Sequence, residues 1–215
     1  MRFEGSLNVD LNEITMNLVP YPRLHFLISS LSPLYSLLDV KIPPRRMDQM
    51  FVDAFSRDFQ LVRSDPRHSR YLACGLMVRG NVQISDVNRN IAAIKPSLDM
   101  IYWNREGFKV GLCDVPPLFG SSSSPASASA SSYSLLCLAN NCCLAQNFSE
   151  IHSRFSKLYK REFYLHHYLQ QMGGDGTDRS LFEQSSENIL NLVSEYSHLQ
   201  RATQPDKVNR ITPII

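Results

Sequence analysis

Apolar residues along the chain fall into short runs with two clear periods. Asp10 precedes an apolar stretch as an N-cap, with Glu13 at the third helical position, and this pattern predicts a helix of about ten residues that stops before Pro20. "RLHFLIS" (23–29) alternates and predicts a strand with Leu24, Phe26 and Ile28 on one face. Residues 30–46 form a long connection broken by Pro33, Pro43 and Pro44. Met47, Met50, Phe51, Ala54 and Phe55 recur at helical spacing and predict an amphipathic helix over 46–56. "YLACGLMVRG" (71–80) is almost continuously apolar, as suits a strand buried on both faces. Ile84, Val87, Ile91 and Ile94 mark a further helix, ended by Pro96.

The second half opens with predicted strands at 100–103, 107–113 and 135–139. Leu144, Phe148, Ile151, Phe155 and Leu158 then form a helical stripe. A shorter helical piece at 162–172 is broken by "GGDG" (173–176), and Phe182, Ile189, Val193 and Tyr196 carry a long final helix. The segment 120–134 is serine- and alanine-rich, and its small polar side chains offer little burial to offset the entropy of ordering, so it reads as a disordered loop. Strands and helices alternate first and helices accumulate later. The expected fold is α/β (α+β), a two-layer sandwich with a helical pair packed outside. The division expected is a sandwich over 1–140, helices over 141–203 and a non-acidic tail over 204–215.

Composition narrows the functional classes. The 215 residues are 43% hydrophobic and 20% charged, ordinary for a globular domain. A net charge of +2 gives no argument for nucleic acid or membrane binding. Five cysteines, with Cys142 and Cys143 adjacent and no CxxC, suit buried thiols in a reducing compartment better than a disulfide framework. The N-terminus has no apolar run, so it does not read as a signal peptide, and no window suggests a membrane span.

Candidate chemistry is sparse. "GGDGTD" (173–178) follows a helix and has no lysine, which favours a helix end and turn over a phosphate loop. His166 and His167 are adjacent and are expected to point apart, with no cysteine at metal-ligand spacing. Cys142 and Cys143 have no flanking cation to activate them. Lys157, Lys160 and Arg161 lie opposite the apolar stripe of their helix, as either a solvated face or a docking patch for an acidic partner. Asp65-Pro66 reads as a turn.

Motif order adds what periodicity does not. "RFEGSLNVDLNE" (2–13), "NLVPYPRLHF" (17–26), "DPRH" (65–68), "RG" (79–80), "DVN" (86–88) and "GFKVG" (107–111) stand in the order and spacing of tubulins. "LANN" (138–141) and "RFSKLYKREF" (154–163) resemble the tubulin segments leading into and along its outer helices. The resemblance runs from residue 2 to about 200, and within the family it is most similar to the epsilon class.

The resemblance implies a tubulin-type sandwich followed by antiparallel outer helices, with the N-terminal GTPase domain absent. GTP with magnesium is the family's cofactor. None is expected on this chain alone, and no activity is expected of it alone. Other tubulin subunits and centrosomal or microtubule-associated proteins are the implied partners, at the cytoskeleton, centrosome, centriole and basal body; no nucleic acid or membrane partner is expected. Segment 30–46 resembles the lateral-contact loop, 120–134 the lumen-facing connection, and the last two helices the outer surface used by motors. Glu13 aligns with the alpha-chain glutamate that polarises water against the neighbouring subunit's GTP, where beta chains carry lysine. Asp10 would sit one turn before it on the same face. Glu13 therefore has two open readings, capping residue and catalytic group acting in trans.

Overall fold

The structure is a computed structural model that describes residue 5 and residues 7–34, 46–115, 133–171 and 179–203. Its elements in chain order are α1 (Leu11–Leu18), β1 (Ile28–Ser32), α2 (Met47–Ala54), β2 (Tyr71–Arg79), α3 (Ile84–Ile94), β3 (Phe108–Cys113), β4 (Ser134–Asn141), α4 (Leu144–Lys160), α5 (Leu165–Gln171) and α6 (Ser180–Arg201). The strands form one sheet in the order β1-β4-β2-β3. β4 pairs antiparallel with both β1 and β2, while β2 and β3 run parallel. The parallel pair needs a crossover, and α3 lies between its strands in the chain.

β2 has strand neighbours on both edges and is buried along its length except at Arg79. On one face its Cys74, Leu76 and Val78 pack with Met50, Phe51 and Ala54 of α2, Val87 of α3, and Leu135 and Cys137 of β4. Each large apolar side chain removed from water here contributes about 1.5–3 kcal/mol. α1 covers the opposite face at Gly75, where an added Cβ would lie 3.1 Å from Leu18 Cδ1. A second cluster joins Leu24, Leu72 and Ile101 to Cys142 and to Leu192, Tyr196 and Leu199 of α6. Phe148 of α4 packs on this second cluster, with its ring 4.8 Å from Phe26 and 6.4 Å from Tyr196, and also on a third made of Ile28, Cys143 and Leu144. Helices thus flank the sheet on both sides, and α4 pairs with α6 outside it.

Several expectations shift at their edges. The strand predicted at 23–29 begins only at Ile28. Leu24 and Ile28 are buried and Phe26 half-buried as the alternation requires, yet "RLHF" runs as coil. Residues 100–103 are not a strand. Met100 makes one parallel bridge to Tyr71, and the chain turns through 102–106 instead. Of the loop read at 120–134, Ser134 opens β4 and 120–132 lie outside the described residues. So do 35–45, the "GGDG" break and the tail from 204.

Candidate functional site

α1 is a short helix held at its end. Thr15 Oγ1 donates to Leu11 O at 3.1 Å and Asn17 Nδ2 to Glu13 O at 2.6 Å. The last turn closes through Val19 N to Thr15 O, just before Pro20. Asn140 Nδ2, fully buried on β4, donates to Leu18 O at 2.9 Å and Leu24 O at 2.8 Å. These bonds, with Leu18 set over Gly75, fix where α1 leaves the sheet. Gly111 of β3 makes a similar allowance beside it: a Cβ there would meet Val9 Cγ2 at 3.0 Å and Met77 Sδ at 2.8 Å.

Little else of α1 is buried. Leu11 and Met16 are each 81% exposed, so the helix turns two apolar side chains outward along with its acids. Asp10 occupies the N-cap position with extended backbone, but its side chain makes no capping hydrogen bond. The capping box read from Asp10 and Glu13 does not form. Glu13 reaches the other way, and its Oε2 lies 3.3 Å from Lys109 Nζ on β3. Both partners are partly exposed, so the pair contributes about 0.2–1 kcal/mol and leaves the carboxylate displaceable. Asp10 and Glu13 are three residues apart and therefore neighbours on the helix surface. The structure brings these two together and adds Lys109, which only the "GFKVG" motif had marked, without a role.

The remaining sequence candidates lie elsewhere. Cys142 and Cys143 are buried where β4 turns into α4. Burial pushes the Cys142 thiol up to about 12 despite the nearby Arg70, and raises Cys143 as well. Both stay protonated and unreactive near neutral pH. His166 and His167 do not point apart as expected. Their rings lie 3.9 Å centroid to centroid with a 42° tilt. No group of three or more histidine, cysteine or acidic residues fit to hold a metal occurs among the described residues.

"DPRH" forms the predicted turn, with Arg67 N donating to Asp65 Oδ1 at 3.1 Å. Asp65 and His68 line a cavity of about 390 Å³ shared with Cys142, Gln146, Gln200 and Arg201. Beside it Arg70 binds the end of α6, donating through Nη1 to Leu199 O at 3.3 Å and to Ala202 O, and pairing with Asp99 at 3.3 Å.

A nucleotide cradle of the chain's own does not fit the residues between β2 and α3. Gly80, with φ of 114°, is followed by Asn81, with neither a glycine run nor a lysine before the helix. Among the described residues no helix is long and apolar enough to cross a membrane.

With the mixed sheet, its flanking helices and the exposed α1 in place, comparison with known proteins supplies the class. The tubulin C-terminal domain profile matches residues 22–153, and the chain belongs to the tubulin family. It is 57% identical over 198 residues to the tubulin epsilon chains of Mus musculus and Homo sapiens, across 92% of this chain. Identity to the tubulin alpha-1 chain of Arabidopsis thaliana is 33% over 202 residues. The similarity is therefore to epsilon chains before alpha chains. The chain spans 39% of the length of the epsilon relatives and 43% of the alpha relative.

Proposed function

We propose that this chain is a subunit-contact module of an epsilon-type tubulin, and that α1 faces the GTP of a neighbouring tubulin subunit. The observation that carries this is α1 itself. It is an ordered helix in a tubulin C-terminal fold, it exposes Leu11 and Met16, and its two N-terminal acids do not serve as caps. An exposed apolar pair beside acids that cap no helix end suits a surface that another subunit covers. In this reading residues 1–140 supply the sandwich and 141–203 the outer helices. The module works with other tubulin subunits in the cytoskeleton, at centrioles or basal bodies.

The chemistry follows from Glu13. Its carboxylate orients a water in line with the neighbour's γ-phosphate and accepts a proton as the water oxygen attacks phosphorus. The bond from phosphorus to the β–γ bridging oxygen breaks, releasing GDP and inorganic phosphate. Asp10 and Glu13 alone would repel a triphosphate. Lys109, 3.3 Å from Glu13, offsets that repulsion and holds the carboxylate ready.

The test is to add the 215-residue chain to GTP-loaded tubulin dimers and follow phosphate release. Release should rise with chain concentration, and Glu13→Gln should lower the stimulated rate by about 100-fold, the scale of a lost general base, while costing no more than about 1 kcal/mol of stability for the lost ion pair. Equal stimulation by the variant would remove Glu13 from the mechanism and leave only a contact role.

A further inference from the structure

The non-acidic tail and the cavity beside the 65–69 turn are two features that the contact role of α1 does not use. The cavity, of about 390 Å³, lies between that turn, the start of α4 and the end of α6. Its volume is that of a binding pocket. Cys142, Cys143 and Ala145 give it apolar walls, and Asp65 sets a carboxylate beside them. Gln200 and Arg201, on the last turn of α6, stand at its rim.

The chain leaves α6 at this rim, and the exit is fixed. Arg70 donates through Nη1 to Leu199 O at 3.3 Å and to Ala202 O, and its backbone N–H donates to Gln200 Oε1 at 2.9 Å. Ala202 N closes the last turn on Leu199 O at 3.2 Å. Ala202 itself has left the helix for extended backbone, with φ of −61° and ψ of 114°. The sequence that follows is "QPDKVNRITPII" (204–215). Pro205 cannot extend a helix. Val208, Ile211, Ile214 and Ile215 recur among polar residues, and Lys207 and Arg210 outnumber Asp206.

We infer that the cavity is the docking site of this chain's own tail, residues 204–215. The residues from Ala202 to Asp206 span at most about 17 Å when extended, so Lys207 to Ile211 can reach the walls of a cavity that Arg201 lines. Val208 and Ile211 cover Cys142, Cys143 and Ala145, and a tail cation pairs with Asp65. Tethering presents the tail at about millimolar effective concentration, so a modest intrinsic affinity keeps the site filled. An occupant from another chain would have to displace a segment that begins at the rim. Docked, the tail ties the 65–69 turn to the end of α6 and shields the two thiols that the cavity reaches. Neither tail nor cavity shares a residue with the Glu13 chemistry, and either proposal can fail alone.

Two measurements on the 215-residue chain test it. The variant Val208→Asp/Ile211→Asp leaves every described element untouched. A fluorescein-labelled peptide of the parent sequence 204–215 should bind this variant saturably by anisotropy. It should bind the parent chain at least about tenfold more weakly, because the tethered tail competes. Asp65→Asn added to the variant keeps an acceptor for Arg67 N and removes the charge, so the peptide should bind severalfold more weakly. Alkylation by N-ethylmaleimide, resolved by mass spectrometry, should be faster in the variant at Cys142 and Cys143. It should be unchanged at Cys74, which is buried in the sheet and reports global opening. Equal peptide binding by parent and variant, no binding by either, or alkylation that is equal at Cys142 and Cys143 or faster at Cys74 as well would each overturn the proposal. So would shielding of these thiols that arises only when GTP-loaded tubulin dimers are added, since the cavity would then belong to a partner subunit.

Discussion

Asn140 and Asn141 are both fully buried, and the amide nitrogen of each reaches backbone carbonyls from distant loops. Asn140 holds the end of α1, while Asn141 donates to Pro66 O at 3.2 Å and accepts from Cys143 N at 2.8 Å. In the sequence they were only letters of a motif, because nothing local reveals which carbonyls a buried amide will find. The same limit explains Lys109. Glu13 was legible as a first-turn acid, but its ion-pair partner sits on a strand far along the chain. The buried thiols were legible from the odd cysteine count and the lack of CxxC spacing, and they give a pH signature. Burial raises Cys137 and Cys142 to about 12 from an ordinary 9. Folding therefore keeps protons that the unfolded chain loses first, and stability should hold below pH 9 and fall as pH rises toward 12. Urea melts at increasing pH check this, each thiol contributing up to about 1.4 kcal/mol per pH unit across that window. A midpoint that stays flat through the window, or one that Cys137→Ala leaves equally steep, would contradict it.

Among the elements, α2, α3 and β2 were readable because one buried face or two imposed a clean period. The 23–29 segment was misread as strand because alternation reports burial, not hydrogen bonding. Leu24 and Phe26 turn inward from coil whose carbonyl at Leu24 is taken by Asn140. Residues 100–103 were misread for a related reason: Ile101 is buried against Leu72, yet Asn104 closes a turn and donates to Leu72 O at 2.9 Å. α1 depends on a missing side chain. Gly75→Val should push Leu18 off β2, cost about 1–3 kcal/mol, and speed amide exchange in α1 more than in α2. Uniform loss of protection across both helices would show that α1 is not seated there independently.

At the scale of the molecule, the two-sided packing around β2 followed from its unbroken apolar run, and the family followed from motif order. The exposure of Leu11 and Met16 did not, since an isolated apolar residue on a helix gives no sign of whether its own chain covers it. That exposure underlies the claim that α1 is a contact surface for another subunit. Hydrogen exchange of the 215-residue chain, alone and mixed with GTP-loaded tubulin dimers, measures it directly. Amides of Leu11–Leu18 should gain protection on mixing, with Lys109 and its strand edge responding and the α4–α5 corner unchanged. Binding that leaves α1 exchange as it was, with protection gained elsewhere, would contradict it.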